Sequence, residues 1–198
     1  MRLRETWAYA PGQFLIDPVW WMFLFWLPDF FAKRYHLGLK SFGPPLVVVY
    51  VVSDFGSIAG GWMSSALLRA GFSLNAARKM TMLLSAFLVL PIMGAMFVDD
   101  LWFAVAILGL ATVAHQAFSC NLFTLPSDVF PRRAIGSVVG IGGTAGAIGG
   151  MLMAKYAGFV LDGMGSYTPI FVVAGFSYLA ALLAIQVLSP RYAPANVV

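Results

Sequence analysis

His115, Gln116 and Ser119 fall at offsets of one, three and four residues, so on a helix they share one face of a single turn. Gln116 and Ser119 carry the donors and acceptors that hydroxyl groups need, and His115 can hold an anion or move a proton. The same groups also serve as interhelical hydrogen bonds, but three polar side chains converging on one turn favour a cavity. Asn121 lies well off that face and belongs to packing or to a separate wall. Trp20, Trp21 and Phe25 share a broad face at helical spacing. Aromatic platforms of this kind suit sugar rings, although Trp is equally at home near a membrane interface. Asp54, within Val51-Val52-Ser53-Asp54-Phe55-Gly56-Ser57, is an acid inside an apolar run. It is a candidate proton site or cation partner, or a structural hydrogen bond to a neighbouring helix end.

Enzyme chemistry is not indicated. The chain has no Gly-x-Ser-x-Gly elbow, no Walker loop, no dinucleotide fingerprint and no metal-spaced His/Cys set. Asp54 and His115 come nearest to an intramembrane catalytic pair, and neither has an evident partner. No cofactor is expected.

The elements that position these residues follow from composition. Hydrophobic residues make up 61% of the 198 and charged residues 10%, against about 25% charged in a soluble domain. With 17 Phe, 6 Trp and 10 Met, most of the chain must be solvated by lipid. The single cysteine, Cys120, excludes an internal disulfide. No basic run with interleaved aromatics appears, so nucleic acid is not an expected partner. Met1-Arg2-Leu3-Arg4 has the basic character of a signal-peptide start. Asp17, Pro18 and Asp29 interrupt the stretch behind it and no small-residue cleavage site follows, so a cleaved signal is not expected.

Six apolar segments are long enough to cross a bilayer, which needs about 20 residues each. They run from Phe14 to Phe31, Leu46 to Leu68, Ala76 to Phe97, Leu101 to Phe123, Ala134 to Leu161 and Ile170 to Leu188. Asp17-Pro18 reads as a capped helix start, Gly43-Pro44-Pro45 as a breaker and Pro91 as a kink. Pro126 reads as the exit of the fourth helix and Ser189-Pro190-Arg191 as the stop of the sixth. The expected organisation is a cytoplasmic N-terminal segment (1–13), an all-α six-helix transmembrane domain (14–188) and a cytoplasmic C-terminal tail (189–198). In the fifth helix Gly142, Gly146 and Gly150 repeat every four residues, a smooth stripe for close packing or for flexible gating. Lys155, about two turns from the outer end of that helix, is close enough to snorkel and reads as structural.

Six spans put both termini on one side. That side collects Arg2, Arg4, Arg69, Arg78, Lys79, Arg132, Arg133 and Arg191, and the other holds Lys33, Arg34 and Lys40. The asymmetry predicts both termini in the cytoplasm, in a multi-pass protein of the plasma (inner) membrane.

Several strings then look familiar. Asp17-Pro18-Val19-Trp20-Trp21, followed by Leu24-Phe25-Trp26-Leu27-Pro28, resembles the seventh helix of hexuronate transporters. These belong to the anion:cation symporter branch of the major facilitator superfamily. Gly60-Gly61-Trp62, then Gly71 through Asn75-Ala76-Ala77-Arg78-Lys79, is similar to that branch's loop between helices eight and nine. Ala114-His115-Gln116-Ala117-Phe118-Ser119 with Asn121-Leu122-Phe123-Thr124 looks like its tenth helix. Ser127-Asp128-Val129-Phe130-Pro131 with Gly136 through Gly143 looks like the entry to its eleventh, and Gly165-Ser166-Tyr167 with Pro169-Ile170-Phe171 like the start of its twelfth. The likeness covers residues 2–192. It departs from the superfamily's Gly-x-x-x-Asp loop pattern at Ser65, which stands where the acid falls after Gly61.

The resemblance implies the C-terminal half of a proton-coupled importer of hexuronates or aldonates working by alternating access. In that fold the substrate sits at midplane between two six-helix halves, with helices seven and ten lining the cavity. The resemblance assigns the substrate-carboxylate arginine and the proton-coupling acids to the N-terminal half. The expected protein is therefore a half-size or truncated sugar-acid permease. Its expected partners are a sugar acid, the lipid bilayer, and an N-terminal half or a second copy of itself. A non-transporting membrane subunit or scaffold built on the same surface is the rival reading, and an intramembrane enzyme a weaker one.

Overall fold

The computed structural model describes residues 4–38, 41 and 43–192, with side chains from Trp7 onward. Arg2, Lys40, the side chain of Arg4 and the tail beyond Tyr192 lie outside the described residues. The first helix, α1, runs unbroken over Arg4–Tyr35 and carries Pro11, Pro18 and Pro28 inside it. Asp17-Pro18 is therefore not a helix start. A break at membrane depth would strand backbone amides where no water reaches, so the helix absorbs the prolines instead. Burial of Ala8, Tyr9, Ala10 and Ile16 shows that the turns before Asp17 already pack into the bundle.

Five more helices follow: α2 Gly43–Arg69, α3 Leu74–Val89, α4 Leu101–Val129, α5 Arg132–Met164 and α6 Thr168–Leu188. Gly43-Pro44-Pro45 forms the first turn of α2 rather than a linker before it, because proline is tolerated where the amides have no helical acceptor. Ser73 caps α3 by accepting from the Ala76 amide at 3.2 Å, and Asp100 caps α4 by accepting from the Phe103 amide at 2.7 Å. At Pro91, where the sequence suggests a kink, the α3 rod tightens into a 3-10 segment, Leu90–Phe97. Pro126 does not end α4, which continues to Val129. α5 closes on Gly165, whose φ of 62° suits a residue without a side chain. The end of α6 at Leu188 is sealed by Lys79, whose Nζ donates to the carbonyls of Ser189 (2.6 Å) and Pro190 (3.0 Å).

All six helical rods are long and apolar enough to cross a membrane, with α3 and its 3-10 continuation forming one span. The protein is a multi-pass, all-α membrane bundle. α1 and α4 meet at its centre. α4 also packs on α2 and α3, α1 also packs on α5 and α6, and α3 touches α6. Phe23, Phe30, Phe31, Phe118 and Phe171 are fully buried between them.

Glycine sets the closest approaches. A Cβ at Gly56 or Gly60 would overlap the α4 backbone at Val113 and Ala117. On the other side, a Cβ at Gly142 would strike the Tyr9 ring, at Gly146 the Asp17 carboxylate and at Gly150 the Trp21 ring. The stripe on α5 is thus the seat of α1, whose Tyr9, Asp17 and Trp21, eight and four residues apart, lie along it.

Candidate functional site

The central pair of helices brings the polar turn and the aromatic platform together. Asp17, Trp20 and Trp21 from α1 and His115, Gln116, Ser119 and Phe123 from α4 line one cavity of about 280 Å³. That lies near the low end of the about 300–1,000 Å³ typical of small-molecule sites. Trp20 lies flat on the His115 ring, with centroids 5.0 Å apart and planes within 11°. Behind it the His115 Nδ1 and the Tyr178 hydroxyl of α6 share a hydrogen bond of 2.7 Å. Phe118 meets the Tyr178 ring edge-on at 5.4 Å. His115 thus serves two of the roles open to it: an interhelical hydrogen bond at one nitrogen and a ring in the cavity wall. With Trp20 and Tyr178 on it the imidazole is 3% exposed; Ser119 is also largely buried, and the groups most open to a ligand are Gln116 and the indoles.

Trp20 also walls a second cavity of about 330 Å³, shared with Leu24, Tyr50, Val51, Ser53 and Asp54. Asp54 is exposed there, in a lining that shares Trp20 with the first cavity but not Gln116. The Tyr50 hydroxyl donates to the Phe23 carbonyl at 2.9 Å, tying α2 to α1 beside this cavity. Phe25 lines neither cavity; it is 62% exposed and stacks on Trp21 with centroids 5.6 Å apart. Lys155 is exposed on α5.

Two cavity residues, Asp17 and Phe123, are not among the candidates the sequence offers. Asp17 is hidden in the sequence by its neighbour, because Asp-Pro is a strong helix-start signal. The available signal was the ladder Tyr9, Gln13, Asp17, Trp21, which steps by four residues along one helix face.

A separate polar cluster lies off the cavity. Arg78 of α3 pairs with Asp128 of α4 at 3.0 Å, and its other arm donates to Ser64 of α2 at 3.1 Å and to the Asn121 carbonyl oxygen at 3.3 Å. The Asn121 amide nitrogen donates to the Gly60 carbonyl at 3.2 Å. Asn121 is therefore a packing residue that joins α2, α3 and α4. Ser64, not the exposed Ser65, meets the arginine, and its acid comes from α4. Burial, and after it the charge of Asp128, raises the pKa of the neighbouring Tyr192 phenol.

The family model of the Major Facilitator Superfamily matches residues 2–154. The chain belongs to the major facilitator superfamily. Its six spans fit one half of a major facilitator transporter. It is 34% identical to the hexuronate transporter of Escherichia coli (strain K12), over 96% of this chain and 44% of that one. It is 29% identical to the D-galactonate transporter of Escherichia coli O6:H1, over 86% of this chain and 40% of the relative. With the probable galactarate/D-glucarate transporter of Bacillus subtilis it shares 25% over 87% of this chain and 38% of the relative. The chain thus spans less than half the length of these facilitators.

Proposed function

We propose that the chain is the C-terminal half of a proton-coupled secondary transporter for sugar acids, and that the α1–α4 cavity is its share of the substrate site. The observation that carries this reading is one cavity lined by the indoles of Trp20 and Trp21 beside Gln116 and Ser119. Aromatic faces take the C–H side of a sugar ring, and an amide and a hydroxyl take its hydroxyls. The relatives, hexuronate, D-galactonate and probable galactarate/D-glucarate transporters, are all named for substrates of that class.

With the chain assembled with an N-terminal half, Gln116→Ala is expected to weaken glucuronate binding by about 1–3 kcal/mol, the usual loss for one partner of a buried polar contact. Ser119→Ala is expected to act in the same direction. Leu110→Ala, a truncation on the exposed side of α4, should leave affinity unchanged. Isothermal titration would decide it: unaltered affinity in both Gln116→Ala and Ser119→Ala would make these packing groups and remove the reading's support.

The basic asymmetry supports an inner-membrane protein with both ends in the cytoplasm. A reporter active only in the cytoplasm is expected to be active when fused after Val198 and silent when inserted at Asp99. The reverse pattern would overturn the orientation.

A further inference from the structure

Asp17 brings a negative charge to the cavity wall, and no hydrogen bond or ion pair holds its carboxylate among the described residues. Its seat exists because residue 146 is glycine; any larger residue would collide with the carboxylate. One turn earlier on the same face, Gln13 is fully buried. The Gln13 Nε2 donates to the Tyr9 hydroxyl at 2.8 Å, and its Oε1 has no donor. A buried amide oxygen left without a donor is costly. A carboxylate cannot supply the missing hydrogen, whereas a neutral carboxyl has an O–H to give.

Among the described residues, no Lys or Arg shares the cavity wall with this acid. α4 presents His115, already engaged by Tyr178. α6 presents the Tyr178 hydroxyl and α1 itself Tyr9, both neutral phenols. α5 meets Asp17 with glycine, and its Lys155 is exposed about two and a half turns beyond Gly146. Asp54 lines the neighbouring cavity with Trp20. An anionic sugar entering beside Gln116 would therefore face an uncompensated like charge whenever Asp17 is ionised.

We propose that Asp17 is a proton-coupling acid within this half: protonated, it turns its O–H toward Gln13 and admits an anionic sugar acid, and ionised, it repels that anion. The proton is taken from water entering the open cavity and returns to water after the sugar acid leaves. This rests on the sugar-acid reading above, whose coupling acids the resemblance assigned to the other half. The sign follows directly: binding is favoured at low pH and lost as pH rises through the titration of Asp17.

The test uses the full chain assembled in liposomes with the N-terminal half of a related sugar-acid transporter and has two arms. A hydrophobic carbodiimide, which reacts with protonated carboxyls in apolar surroundings, is mapped by mass spectrometry. Labelling of Asp17 is expected to fall at least about tenfold between about pH 5 and about pH 8. In the second arm glucuronate binding is followed by isothermal titration. Wild-type affinity should weaken about tenfold over the same interval, and Asp17→Asn, a permanently neutral mimic, should bind equally at both ends. Constant labelling across the interval, or an unchanged pH dependence in Asp17→Asn, would overturn the proposal. The labelling arm needs no variant, so a misfolded Asp17→Asn leaves it decisive. If Asp17 titrates as expected but wild type binds no glucuronate at either pH, the sugar-acid reading fails and the coupling role falls with it.

Discussion

Arg78→Ala is expected to destabilise the bundle by about 3–5 kcal/mol, the range for stripping one partner from a buried ion pair. The guanidinium and carboxylate side chains are 16% and 17% exposed, so water screens them little. Removing Arg78 leaves Asp128 as an unpaired charge and also takes donors from Ser64 and the Asn121 oxygen. Three helices lose their common joint at once. Arg78→Lys should recover part of the loss, because an ammonium can meet Asp128 but lacks the planar fork that reaches three acceptors. Replacing both ends together, Arg78→Met with Asp128→Leu, should cost less than either single change, since an apolar pair leaves no buried charge behind. Unfolding in mild detergent, followed by circular dichroism, checks all four proteins. A shift of less than about 1 kcal/mol for Arg78→Ala would mean that the pair behaves as a surface contact.

The existence of six spans, a break in regular α-helix at Pro91 and the seating role of the α5 glycines were legible because each rests on a strong local rule. Lipid demands long apolar runs, proline deletes a donor, and glycine in a four-residue step permits contact. The convergence of Trp20 with Gln116 was legible only in part. Helical spacing shows which residues share a face, but not which faces meet. Asp17 and Pro126 misled for a common reason. Both carry signals calibrated on helices in water, where a chain that leaves the helix can hydrogen-bond to solvent. Inside a membrane that escape is closed, and α1 and α4 run through their prolines. The link from Tyr178 to His115, 63 positions apart, had no local signal at all.

Uptake by this chain alone is expected to stay at background. A midplane site needs walls from two halves, and alternating access needs one half to rock against the other. Trp21, Phe25, Asp54 and Phe123 are exposed beside the cavities, so their wall is open on that side. A second copy could cover it about a two-fold axis, yet would bring the same residues and no new cation to hold a carboxylate. Lys155 and Arg69, both exposed, lie outside the cavity linings. The decisive measurement is uptake of labelled glucuronate and galactonate into cells lacking their own permeases. The chain would be expressed alone and together with the N-terminal half of a related sugar-acid transporter. The account predicts background uptake from the chain alone and saturable, Gln116-dependent uptake with the partner half. Saturable uptake by the chain alone would contradict it in favour of a working homodimer. Background uptake in both, with the two halves shown to associate, would contradict it in favour of a non-transporting subunit.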